Sequence, residues 1–194
     1  MSWVNVQRRA RFVMPTGLWG AALFVATEAT LFGTLFGTYY YLRFKTPQWP
    51  PAGVPEPKVA LPLILTGVLL ASTVPVFLGS RAARSGQARL AWLFFLVALL
   101  IQGGYLGVQI HEFLGDLDKF SPHDSAYASI YFTLLGVHHA HVAVGMLLEL
   151  WLLSKLLGGL NRYRLVAVRV TAFYWYFVSA AAIGVVLTQV YPAL

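Results

Sequence analysis

Seven side chains that could do proton or metal chemistry stand in or beside long apolar runs of this sequence: Glu28, His111, Glu112, His138, His139, His141 and Glu149. An ionisable group in hydrocarbon is costly and needs a partner, so each marks a functional hypothesis. Glu28 reads either as a protonated acid hydrogen-bonded to a neighbouring helix or as a protonatable site coupled to a partner's proton chemistry. The histidines read either as donors to backbone carbonyls and lipid headgroups or as one side of a polar cavity. At about 100° per residue, Gly145 and Glu149 each fall within about 20° of His138 on a helix, with His141 about 60° away and His139 elsewhere. That stripe is expected to face protein or a polar cavity.

A redox centre fits these residues poorly. A bis-histidyl haem takes ligands from two helices, whereas three of the five histidines crowd into His138–His141. The repeated Glu-x-x-His ligands of a di-iron bundle are missing. With no cysteine, disulfides, thiolate metal sites and Fe–S clusters are excluded. No catalytic, metal or cofactor-binding residue is therefore expected in this chain.

The elements that position these residues are dictated by composition. The 194 residues are 58% hydrophobic and 11% charged, whereas a soluble domain carries about 25% charged residues to wet its surface. The apolar runs are unbroken, approach the roughly 20 residues a helix needs to cross hydrocarbon, and lack the alternation of barrel strands. The expected architecture is an all-α, polytopic single membrane domain of five helices: Gly17–Tyr41, Ala60–Gly79, Leu90–Ile110, Ala126–Ser154 and Val170–Val190. The first run follows Arg8, Arg9 and Arg11, but it is about twice the length of a signal h-region and contains Glu28, so it is expected to remain as a span.

Lys and Arg in the intervening segments divide ten to four between the two sides, the ten lying with the N-terminus, the Ser80–Arg89 turn and the loop after span four. That asymmetry predicts a cytoplasmic N-terminus and an outer C-terminus. It also assigns the net charge of +7 to loop topology and not to nucleic acid. Trp3, Trp49, Trp92, Trp151 and Tyr191 lie near span ends, where amphipathic rings favour headgroups. Gly33 and Gly37, like Gly103 and Gly107, place small residues one turn apart and predict close helix packing. Pro62 and Pro75 could bend span two, as in a transporter, yet no second half repeats the pattern. Neither a Ser–His pair nor a His-Glu-x-x-His motif suggests a protease. By elimination the chain reads as an accessory subunit packed on a larger partner, with a small transporter as the rival class.

Several segments, in order and nearly end to end, resemble subunit III of the haem-copper oxygen reductases. They are Phe24-Val-Ala-Thr-Glu28-Ala-Thr-Leu-Phe32, Trp49-Pro50-Pro51-x-Gly53 and Pro62-x-x-x-Thr66-x-Val68-Leu-Leu-Ala-Ser72. After them come Gln109-x-x-Glu112-Phe113, Tyr127-x-x-x-x-Phe132-x-x-x-Gly136-x-His138-x-x-His141-Val142-x-x-Gly145 and Tyr174-Trp175-x-Phe177-Val178. The likeness is to the short, five-helix bacterial form. It implies a subunit of the bacterial plasma membrane with no redox cofactor of its own, bound to oxidase subunits I and II, where haems and copper reside. It further implies structural phospholipid in a V-shaped cleft, protection during turnover and support of proton uptake. Onto this sequence it carries Glu28 as the buried carboxylate and Trp49, His138, His141 and Lys155 as cleft or lipid residues. Cytochrome c is the implied electron donor of the complex; a quinol oxidase or nitric oxide reductase subunit is the alternative within the family. The acidic loop with Glu112, Asp116, Asp118 and Asp124 could attract a basic donor or simply be solvated. The likeness thins in span five, where Tyr176, Ser179 and Ala182 replace the family's His, Asp and Trp, and Glu149 has no counterpart in it.

Overall fold

The structure, a computed structural model, describes residues 15–55, 58–190 and 192. Trp3, Arg8, Arg9, Arg11 and Tyr191, which enter the charge and belt expectations, lie outside the described residues. The chain forms α1 (Thr16–Lys45), α2 (Ala60–Ala71), α3 (Thr73–Arg84), α4 (Ala88–Leu117), α5 (Ala126–Leu156) and α6 (Arg162–Val190). Among the described residues α2 and α3 act as one segment, so five segments are long and apolar enough to cross a membrane. The helices run past the apolar stretches read from the sequence. Backbone hydrogen bonds continue into the headgroup layer, where charged residues such as Arg43, Lys45 and Asp116 are tolerated.

The interruption between α2 and α3 has a local cause. Pro75 has no N–H to donate to the carbonyl of residue 71 and its ring crowds that turn, so the helix breaks at Ser72. The Ser72 hydroxyl donates back to the Leu69 carbonyl (2.6 Å), and Thr73 does the same to Leu70 (2.6 Å). The break is also a tertiary anchor, because Ser72 Oγ accepts the indole N–H of Trp175 from α6 at 3.0 Å.

Helix ends follow side-chain chemistry. Ser125 caps α5, its hydroxyl accepting from the Ala128 N–H (3.1 Å). Asn161 caps α6 through the Arg164 N–H (2.8 Å). Gly86 (φ +77°) and Gly159 (φ +83°) close α3 and α5 in the left-handed conformation that a side chain disfavours.

Helix α6 is the hub. It packs on α1, α2, α3 and α5, while α4 completes the bundle against α2, α3 and α5. Trp175 and Val178 are fully buried at its centre with Leu69, Val76, Phe95, Val142 and Leu152 around them. In lipid such contacts are held by close packing more than by the hydrophobic effect, and the close approaches fall at particular glycines. A Cβ on Gly145 would stand 2.8 Å from the Trp175 ring, and one on Gly184 would stand 2.4 Å from Phe36 of α1. The glycine pairs picked out by spacing are different. Nothing lies within 4 Å of a Cβ at Gly33, Gly37 or Gly107, and Gly103 meets only the Met146 methyl at 3.6 Å. Their spacing says that a helix could approach; it does not say on which face one does, and within the described residues no side chain or helix packs on Gly33, Gly37 or Gly107.

Helix α1 is the outlier: it touches α5 and α6 alone and leaves most of its surface outward. The threonines on that surface are silenced within the helix. Thr30, Thr34 and Thr38 donate to the carbonyls of Ala26, Thr30 and Thr34 at 3.0, 2.9 and 2.9 Å.

Candidate functional site

A polar contact between α1 and α5 joins two of the residues the sequence marks most strongly. Glu28 Oε2 lies 2.9 Å from His141 Nε2 of α5, with the side chains 20% and 12% exposed. The other ring nitrogen, His141 Nδ1, is 2.7 Å from the Val137 carbonyl. A carbonyl only accepts, so Nδ1 carries a hydrogen. Nε2 then either donates to a carboxylate as imidazolium or accepts from a neutral carboxylic acid. Both arrangements share the same heavy-atom geometry and differ by the position of one proton. Phe32 closes one side, its ring edge-on to His141 at 5.0 Å, and the Tyr174 hydroxyl donates to the His141 carbonyl at 3.2 Å. The pair can thus hold or relay a proton across the α1–α5 interface while staying partly open to whatever lies beside it.

The helical stripe predicted on α5 is buried, but its members meet different partners. His138, 2% exposed, places Nε2 3.3 Å from the Tyr105 hydroxyl of α4. That hydroxyl accepts from Gln109 Nε2 at 3.2 Å. Glu149, fully buried, accepts from Gln102 Nε2 at 3.0 Å. Gly145 lies between them against Trp175. His139 points away, edge-on to Phe113 at 5.6 Å. Gln102 and Tyr105 escaped the sequence reading because neither ionises in the usual range. The signal was there in their spacing: Gln102, Tyr105, Gln109, Glu112 and Asp116 recur every three or four residues along α4.

The residues carried over as cleft or lipid contacts do not form one site. Trp49 is 8% exposed and does not face headgroups. The loop carrying it folds over the bundle end, where its indole N–H donates to the Tyr39 hydroxyl (3.1 Å) and Tyr39 donates to the Thr188 carbonyl (2.7 Å). Its ring stands edge-on to Tyr127 at 4.9 Å. Trp49 therefore ties α1, α5 and α6 together, a role that its position near a span end could not reveal. His138 is likewise sealed. Lys155 is exposed, with Nζ 5.9 Å from the centroid of the outward-facing Trp151 ring. It stands about 21 Å along α5 from His141, fourteen residues at 1.5 Å each.

At the opposite end, Lys58 and Glu112 form an ion pair beside Asp116, which accepts from Tyr131 (2.8 Å) and Lys119 (3.2 Å). The Glu112 carboxylate that takes its hydrogen bond holds the Lys58 ammonium above the usual lysine value of 10.5. Part of the acidic loop is thereby neutralised from within. Among the described residues no three His, Asp or Glu side chains gather as a metal site would require. In the last span, Tyr176 faces outward, while Ser179 and Ala182 are buried.

The family profile described as cytochrome c oxidase subunit III matches residues 5–191. Cytochrome c oxidase subunit 3 of Bacillus sp. (strain PS3) is 33% identical over 172 residues, covering 84% of this chain and 78% of that protein. Cytochrome bo(3) ubiquinol oxidase subunit 3 of Pseudomonas aeruginosa is 32% identical, covering 90% and 82%. Quinol oxidase subunit 3 of Bacillus spizizenii is 30% identical, covering 90% and 84%. An apolar helical bundle with a part-buried acid–imidazole bridge, matched along nearly its whole length, belongs to the subunit III family of the haem-copper oxidases.

Proposed function

We propose that this chain is the accessory subunit III of a bacterial terminal oxidase, holding no redox centre and stabilising the subunits that do. The observation that carries the reading is the Glu28–His141 bridge at 2.9 Å. It sits where the outlying α1 meets the bundle, partly open on its outer side, and it can change protonation without moving a heavy atom. Such a pair suits a subunit that supports proton uptake by a neighbour better than one that transfers electrons. The exposed apolar surface of α1, with Trp19, Leu23, Phe24 and Leu31 outward, suits contact with lipid tails or the apolar flank of a catalytic subunit. Lys155 beside Trp151 suits a phospholipid headgroup, as a point charge near phosphate with an interfacial ring below it. With the loop-charge asymmetry, the Arg162 end lies in the cytoplasm and the Asp116 end outside, in the bacterial plasma membrane.

Two relatives named quinol oxidase subunits match as well as the cytochrome c oxidase subunit does. A quinol oxidase is therefore kept as the second reading of the electron donor. Purification through a tag on this chain is expected to bring down a larger membrane subunit bearing haem and copper. A cofactor-free preparation containing only this chain and moving a solute would overturn the assignment. In the intact complex, Glu28→Gln is expected to leave assembly unchanged while altering proton uptake or inactivation during turnover. Lys155→Ala is expected to lower the phospholipid that co-purifies; undiminished lipid by mass spectrometry removes that role.

A further inference from the structure

Helices α4 and α5 meet along a line of polar contacts that continues far below the surface. On α4, Gln102, Tyr105, Gln109, Glu112 and Asp116 fall within about 80° of arc, and on α5, Tyr131, His138 and Glu149 fall within about 20°. The two stripes face each other and make three cross-helix rungs. These are Tyr131 to Asp116 (2.8 Å), Tyr105 to His138 (3.3 Å) and Gln102 to Glu149 (3.0 Å). Gln109 adds a further donor to Tyr105 on the second rung (3.2 Å). The upper end opens at a cavity of about 70 Å³ whose largely apolar lining includes Lys58, Glu112, Asp116, Lys119, Gln109 and Gln189, large enough for water. The lower end lies about 21 Å further along α4, fourteen residues below Asp116.

Three atoms on this line have no partner: His138 Nδ1, Gln102 Oε1 and Glu149 Oε2. Their residues are 2%, 0% and 0% exposed. Tyr105 and His138 Nε2 share one hydrogen between them, and whichever of the two supplies it, His138 Nδ1 is left without a partner. Glu149 has an amide on one oxygen and nothing on the other. Among the described residues no ion pair reaches it. Arg89 on α4, Lys155 on α5 and Arg169 on α6 are exposed, and Glu28 on α1 is engaged with His141. An uncompensated carboxylate so enclosed is unfavourable, and unpaired buried polar atoms are normally satisfied by ordered water.

We propose that the α4–α5 interface is a hydrated polar seam running from the Lys58–Glu112–Asp116 cavity to Glu149. Glu149 is a neutral carboxylic acid that exchanges its proton with solvent along this seam. Water bound between Gln102 Oε1 and Glu149 Oε2 takes the acid's proton as the acid receives another in return. No covalent bond other than O–H changes and no electron moves. The ligand of the seam is water, and its function is to connect a proton-holding group buried between the helices with one aqueous side. This assignment depends on the geometry of this chain alone and is independent of which oxidase contains it.

Infrared spectroscopy of the intact complex tests it. Wild type minus Glu149→Gln is expected to show one protonated-carboxyl C=O band, which shifts in D2O well before the core helix amides exchange. Tyr105→Phe and Gln109→Leu are expected to slow that shift about tenfold each, the factor for roughly one lost hydrogen bond. If Glu149→Gln does not assemble, Gln102→Leu replaces it. Loss of the amide donor is then expected to raise the band frequency in the variant. Loss of Gln102 Oε1, which anchors the bridging water, is expected to slow its exchange relative to wild type without reducing it to the rate of the core amides. Identical carboxyl regions in wild type and the assembled variant would overturn the proposal. So would a band that exchanges only with the core amides, because a sealed structural acid has no path to solvent.

Discussion

Helix α5 meets a polar partner on each of two faces about 80° apart, and the contrast between them is instructive. Toward α1, His141 meets Glu28, a pair of titratable groups 12% and 20% exposed. Toward α4, Glu149 meets Gln102, an acid and a neutral amide that are both fully buried. An imidazole can compensate a carboxylate by taking its proton, so the first pair can remain at a partly open interface in either protonation state. A side-chain amide carries no charge and takes no proton, so it cannot neutralise a carboxylate, and in the proposed seam the second acid keeps its own proton. Gly145 and Trp175 lie between the two levels and keep α5 close to α6.

The contrast can be broken most forcefully at its sealed side. Glu149→Lys places a second kind of charge where no counter-ion exists and is expected to destabilise the bundle by about 3–5 kcal/mol, read as loss of the chain from the purified complex. Glu149→Leu is expected to be far milder, because an apolar group leaves only Gln102 unpaired. Next comes the spacer between the faces. Gly145→Ala drives a methyl against the fully buried Trp175 ring and is expected to cost about 2–3 kcal/mol, measured by thermal unfolding in detergent. Gln102→Leu removes the amide donor and is expected to cost about 1–2 kcal/mol. Glu28→Gln keeps a hydrogen-bonding group opposite His141, so about 1 kcal/mol or less is expected; an effect as large as that of Glu149→Lys would show that the open pair is as sealed as the buried one.

The smallest effect belongs to the Lys58–Glu112 pair above both faces. Lys58→Met is expected to cost about 0.5 kcal/mol, the scale of an exposed ion pair. Because the folded chain holds the Lys58 value above 10.5, the contribution is complete below that pH and is lost as pH rises through the elevated folded value. Melting temperatures of wild type and Lys58→Met should therefore converge only in strong alkali. Convergence near neutral pH would remove the ion pair from the account.

Much of this was legible beforehand, and the omissions have physical causes. The spans were visible because lipid demands continuous apolar helix, and Glu28, His138, His141 and Glu149 were visible because ionisable groups are rare there. Their pairing was not visible. Glu28 and His141 are 113 residues apart, and a helical angle describes one helix without saying which neighbour faces it. Gln102 went unnoticed because amides are not ionisable. The spacing of Gly33, Gly37 and Gly107 records small size and not coverage. Trp49 near a span end looked interfacial until its loop was seen folded against Tyr39 and Tyr127.

The sequence by itself determined the solvent, the number of crossings and the set of residues that must avoid lipid. Those follow from composition and local spacing, which every segment carries within itself. Only the tertiary structure decided that α6 is the hub, that Glu28 belongs to His141 and that Glu149 belongs to Gln102. Helix association in lipid depends on which faces fit and which polar groups meet, and that is a property of pairs of helices.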